Sequence, residues 1–180
     1  MKHLIFTILF VLIYSINYGQ TTVKESKTSN GVPIMFVDSV RISQADLQKY
    51  KFDDIATVTV YEDSTKFKHL DSNAIGAIYI ETNQFSRKRF LNYFKYKSPE
   101  FKNLSASQQS DDSFQYVLNG EVLSKNYEGK LAAINDKNFK SITVIRKEEL
   151  MDKYGATNKI FGIVMVSDVL ENFPFPKEKP

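Results

Sequence analysis

The sequence predicts an α+β protein of two tandem β-α-β-α-β units joined by a helical connector. Three observations carry that expectation. Apolar and polar residues alternate at 53–60 and again at 137–144, so that Val58 and Val60 share one strand face, as Ile142 and Val144 share another. Each run is followed by a gap of helix length, a glycine and a second alternating run. Gly76 precedes Ile78 and Ile80, and Gly162 precedes Val164 and Val166. Between the copies the chain changes character and sets aromatic residues among cations. Self-similarity at a fixed distance marks a repeated supersecondary unit.

Taken in order, residues 1–19 read as a secretory signal peptide. Lys2 and His3 precede an apolar run from Leu4 to Ile16, and Gly19 offers a small residue at the cut. That run is 13 residues, short of the roughly 20 that a membrane span needs. Cleavage would leave Gln20 first, no transmembrane span, and a periplasmic or outer-surface protein. Residues 20–33 form a flexible N-terminal segment, and the first unit occupies 34–83. Within it Ser43 and Asp46 suggest a capping box, and residues 64–70 a short helix. The connector, 84–112, places Phe90, Leu91 and Phe94 at helical spacing. Ser98 and Pro99 then look like a new helix start, and Leu104 to Asp112 a polar linker. The second unit covers 113–169. Its best helix, 147–154, has Glu148 and Glu149 early, Lys153 late and Gly155 where a left-handed residue ends a helix. In the tail, 170–180, Pro174 and Pro176 impose an extended path.

Composition narrows the chemistry. The 180 residues include no cysteine and two histidines, His3 and His69. Disulfides, thiolate metal sites and a cysteine nucleophile are therefore excluded, as is a multi-histidine metal site in one copy. No Gly-x-Ser-x-Gly, phosphate loop or His-Glu-x-x-His occurs, and no cofactor is expected. His69 reads as a surface residue. The net charge of +3 falls to +2 once Lys2 leaves with the leader. Residues 84–110 hold six cations and one acid, Glu100, whereas both flanking regions are mildly acidic. One basic connector is not the broad basic face that nucleic acid requires, so nucleic acid is not an expected partner.

The repeated elements resemble the plug domain of TonB-dependent outer-membrane receptors. Tyr116-Val117-Leu118-Asn119-Gly120 is similar to that family's first strand and turn. Asn135 to Val144 is similar to its second element, and Lys153-Tyr154-Gly155-Ala156 with Gly162 to Val166 to its third. The first copy matches through Phe36-Val37-Asp38, Asp54-Ile55 and Gly76 to Ile80, without a Tyr-Gly pair. The resemblance implies the βαβ module. It implies no channel, because the barrel of such a receptor needs hundreds of further residues.

These readings converge on an exported, non-enzymatic interaction protein of the bacterial cell envelope, whose partner is another protein or an envelope component. The expected partner-binding residues are Arg87, Lys88, Arg89, Tyr93, Lys95 and Tyr96, as a cationic rim around an apolar stripe that packs on the units. Arg87, Lys88 and Arg89 are expected to be exposed. Gly76, Gly155 and Gly162 are expected to be structural, with Gly76 and Gly162 in the same place in each copy. One alternative is a periplasmic glycan or small-molecule binder using Tyr61, Tyr79, Tyr93 or Tyr96. A second is a hydrolase with an unrecognised site.

Overall fold

The computed structural model describes residues 31–108, 111–156 and 158–168. The expected leader, most of segment 20–33 and the tail lie outside the described residues. The fold is α+β, with two four-stranded mixed sheets and several helices.

The first sheet contains β1 (Ile34–Val37), β2 (Val40–Ile42), β3 (Ile55–Tyr61) and β4 (Ala77–Thr82), in the order β2-β1-β4-β3. Then come α1 (Asn83–Lys97) and α2 (Pro99–Ser107). The second sheet contains β5 (Phe114–Leu118), β6 (Glu121–Val122), β7 (Phe139–Arg146) and β8 (Phe161–Ser167), in the order β6-β5-β8-β7. Between its strands lie α3 (Glu128–Ala132) and α4 (Lys147–Tyr154). In each sheet the two central strands are parallel and both outer pairings antiparallel.

The two sheets also share their hairpin turn. Asp38 and Ser39 have φ of 51° and 71°, and Asn119 and Gly120 have 51° and 85°. Two successive positive φ values make a turn whose twist suits paired strands. Asp38 accepts the Thr82 amide at 2.8 Å, and Asn119 accepts the Ser167 amide at 2.9 Å. These bonds set Thr82 against Ser167 and Ile80 against Met165. By the same register Ala77, not Gly76, is the counterpart of Gly162. The expectation that the two glycines coincide is therefore corrected by one residue. A Cβ at Gly162 would stand 2.6 Å from Ile145 Cγ1 and 2.9 Å from Leu150 Cδ1, so packing there demands glycine. At Gly76 it would stand 3.2 Å from the Tyr61 carbonyl oxygen, a milder crowding. Gly155 ends α4 with φ of 66°, the left-handed cap anticipated.

Several local expectations differ from the observed elements. A short hairpin strand, β2 or β6, follows the first strand of each half. The helix expected at 64–70 is only a 3-10 turn, Ser64–Lys66. Asp63 caps that turn, and Asp71 accepts the Asn73 amide at 3.1 Å. Short polar side chains here hold the backbone in turns and compete with a helix. The Ser43 box also opens a 3-10 segment, Gln44–Lys49, rather than an α-helix. By contrast α2 begins as expected, with Ser98 Oγ accepting the Phe101 amide and Pro99 in the first turn. It runs to Ser107, into the stretch expected to be a linker, because Leu104 packs against the main core.

That core lies on one face of the second sheet. Phe90 and Phe94 of α1 and Phe101 of α2 cover Phe114, Tyr116, Ile163 and Met165, with Leu131 of α3 beside them. The opposite face packs Val117 and Ile145 against Leu150 of α4. The first sheet has a smaller core of Ile34, Phe67, Ala74 and Ala77, bordered by Phe36 and Tyr79.

Candidate interaction surface

Helix α1 carries all six residues expected to meet a partner, and the structure divides them. Arg87 is half-buried and ion-pairs with Glu128 at 3.4 Å while donating to the Tyr127 hydroxyl at 3.3 Å. Arg89 ion-pairs with Glu81 and donates to the Ala132 carbonyl at 3.1 Å. The Tyr93 hydroxyl donates to Asp136 at 3.0 Å. Thus Arg87 and Arg89 tie α1 to α3 and β4; Arg89 is exposed as expected, whereas the exposure expected of Arg87 is corrected, because it packs half-buried against Tyr127 and Glu128. Their positions follow from α1 lying between the halves, where Glu81 and Glu128 face it. Lys88 and Tyr96 are exposed, and Lys95 is half-buried.

Lys97, a connector cation outside the expected partner-binding set, is a well-built feature of this helix. Its ammonium pairs with Asp136 at 2.7 Å and sits 5.3–5.5 Å from the centroids of Tyr93, Tyr96 and Phe139. The hydrogen bond from Lys97, aided by that from Tyr93, holds the Asp136 carboxyl below the usual carboxylate range. The reciprocal bond raises Lys97. Burial, with the Asp136 carboxylate adding to it, raises the Tyr93 phenol. Three of the six connector cations, Arg87, Arg89 and Lys97, therefore tie α1 to its surroundings.

The open surface lies elsewhere. On the first sheet Val40, Ile42, Met35, Ile78, Val58 and Val60 fall on one face by register. Val40 is 65 % exposed, Val60 58 % and Val58 37 %. Their counterparts on the second sheet lie beneath α1 and α2: Tyr116 stands for Met35, Ile163 for Ile78 and Val144 for Val60. Tyr116 and Ile163 are 1 % and 0 % exposed. The inward phase expected for Val58 and Val60 is thus corrected. Their alternation is real, but the face is open only in part: Val40, Val58 and Val60 are exposed and Met35, Ile42 and Ile78 half-buried, whereas Val37 and Ile80, on the same face by register, are buried. Two pairs of acids, Asp53 with Asp54 and Glu62 with Asp63, bracket β3 at its two ends, and none of the four has an ion-pair partner among the described residues. Sequence reading missed this face, although the signal was present: the chain offers one amphipathic connector for two sheets.

The other candidates are less favourable. Tyr61 and Tyr79 do lie side by side, but they meet edge to face at 5.5 Å, and Tyr79 stacks on Phe36 at 4.7 Å. Ring faces spent on one another are not offered to a sugar. A cleft of about 360 Å³ between α2, β7 and α4 sets Arg146 with Glu100 and Glu149 over Leu104, Val144 and Phe161. His69 is exposed, with no acid–base partner in hydrogen-bond reach among the described residues. No group of three potential metal ligands, and no helix long and apolar enough to cross a membrane, occurs among the described residues.

Comparison of the chain with family models, curated proteins and solved structures finds no match.

Proposed function

We propose that this chain is an exported, non-enzymatic binding protein of the bacterial cell envelope, built from two duplicated plug-like units. The observation that carries the reading is the apolar face of the first sheet, which leaves Val40, Val58 and Val60 exposed. Contiguous exposed apolar patches on a soluble domain mark interaction sites, and the equivalent face of the second sheet is closed. Duplication is supported by the common strand order, the common hairpin turn and the paired Asp38 and Asn119 bonds. The apolar stretch at 4–16 supports export. Subcellular fractionation of the native host tests the location, and the leader reading fails if the protein keeps residues 1–19 in the cytoplasmic fraction. Pull-down from envelope fractions with the tagged mature protein tests the binding reading. It is expected to recover a partner reproducibly, and recovery of nothing beyond the tag control overturns it.

A further inference from the structure

We propose that the open part of the first sheet's apolar face, along Met35, Ile78, Val58 and Val60, seats a cationic amphipathic helix supplied by another protein, in the way α1 lies on the second sheet. This deepens the binding reading given above and rests on it.

First, the molecule contains its own template. On the second sheet the strip formed by β5, β8 and β7 receives Phe90 and Phe94, which project from one side of α1 four residues apart. Phe90 meets Tyr116 edge to face at 5.5 Å. On the first sheet the same strip, in the same register, carries Met35, Ile78, Val58 and Val60, with Val37 and Ile80 beside them already buried. These side chains are apolar throughout, and Met35 and Val58 are smaller than their counterparts Tyr116 and Ile142, so an aromatic helical stripe finds both a chemical match and room. Helix-in-groove recognition reads such a stripe as anchors at helical spacing.

Second, the charges specify the sign of the occupant. Residues 31–82 carry five Lys and Arg against eight Asp and Glu. Asp46, Asp71 and Glu81 are paired with Lys49, Arg41 and Arg89. Asp53, Asp54 and Glu62, at the ends of the edge strand, form no ion pair among the described residues, nor do Lys51, Lys66 and Lys68 of the same segment, so the acids remain free to meet a further cation. A helix with lysines or arginines flanking its apolar stripe satisfies both the strip and its acidic ends. α1 has that composition, with Arg87, Lys88, Arg89 and Lys95 around Phe90 and Phe94.

The probe is a synthetic peptide of the α1 sequence, residues 83–97, titrated into the mature full-length protein and followed by amide chemical shifts. The expected result is saturable binding, with shifts centred on Met35, Val58, Val60 and Ile78 and helix formation in the peptide. Replacing both phenylalanines of the peptide by alanine, or Val60→Lys in the protein, should weaken binding by about tenfold. Val60 is exposed, so V60K should melt as wild type does, which keeps the comparison valid. Shifts confined to Tyr116, Ile163 and Val144 would mean exchange into the second sheet and would overturn the proposal. So would a peptide that fails to bind, dimerisation abolished by V60K, or a face that opens only when residues 169–180 are deleted. In the envelope pull-down, equal recovery of a partner by wild type and V60K would sink this inference while leaving the binding reading intact.

Discussion

The two sheets of this protein have the same strand order and the same turn, yet one is closed and the other open. The difference lies in a single piece of chain. α1 and α2 follow the first sheet in sequence but spend their aromatic residues on the second. Among the described residues, eleven are buried in the core they complete, against four in the core of the first sheet. Strand pattern alone therefore does not decide what is buried. Val60 and Val144 have equivalent places, and only the second has a helix above it.

The largest effect that would test this contrast comes from the helix itself. Phe90→Ala removes a fully buried ring from the junction of α1 and the second sheet, and should cost about 3–5 kcal/mol of unfolding free energy. Denaturant unfolding measures it. A loss below 1 kcal/mol would show that α1 is not what closes the second sheet.

The next comparison sets the equivalent valines against each other. Val144→Asp pushes a carboxylate into the edge of the main core and should cost about 2–3 kcal/mol. Val60→Asp leaves its carboxylate in water and should cost no more than about 0.5 kcal/mol. Equal losses in the two variants would mean that the first sheet's face is covered in solution. A similar pair of glycine variants probes the one-residue offset between the halves. Gly162→Ala should cost about 1–3 kcal/mol, because its Cβ collides with Ile145 and Leu150. Gly76→Ala meets only one carbonyl oxygen at 3.2 Å and should lose less. The reverse ranking would contradict the register.

How far the sequence reveals this architecture depends on the kind of signal. The strands at 55–61, 77–82, 139–146 and 161–167 are legible because period-two alternation is local. The α1 stripe and the Ser98-Pro99 start are legible for the same reason. Burial is not local: Val58 and Val60 alternate as cleanly as Ile142 and Val144, and nothing within their own strand says that a helix is missing above them. The short strands β2 and β6, three and two residues long, fall below what alternation can register. The cations of α1 could be read as a charge run but not as pairs, because Glu81, Glu128 and Asp136 come from three separate parts of the chain.

The smallest expected effect concerns the Lys97–Asp136 clasp, which has no counterpart on the first sheet among the described residues. In the folded protein the hydrogen bonds from Lys97 and Tyr93 depress the Asp136 pKa. A carboxyl depressed on folding contributes stability that is present above its unfolded pKa, about 3.9, and is lost as pH falls through the lower folded value. Lys97 is raised by the same pair, so its contribution is present below its unfolded pKa, about 10.4, and fades as pH rises through the folded value. Asp136→Asn should therefore lower the melting temperature slightly at neutral pH and remove part of its fall in acid. It should also remove part of the fall at high pH, as Lys97 loses its carboxylate partner. Asp136 is solvent-exposed, so salt should shrink the difference between variant and wild type. Melting curves across that range, at low and high salt, measure all of these changes. An Asp136→Asn curve parallel to wild type at every pH would show that the clasp orders side chains without contributing to stability. The aromatic cage around Lys97 would then hold α1 in place by packing alone.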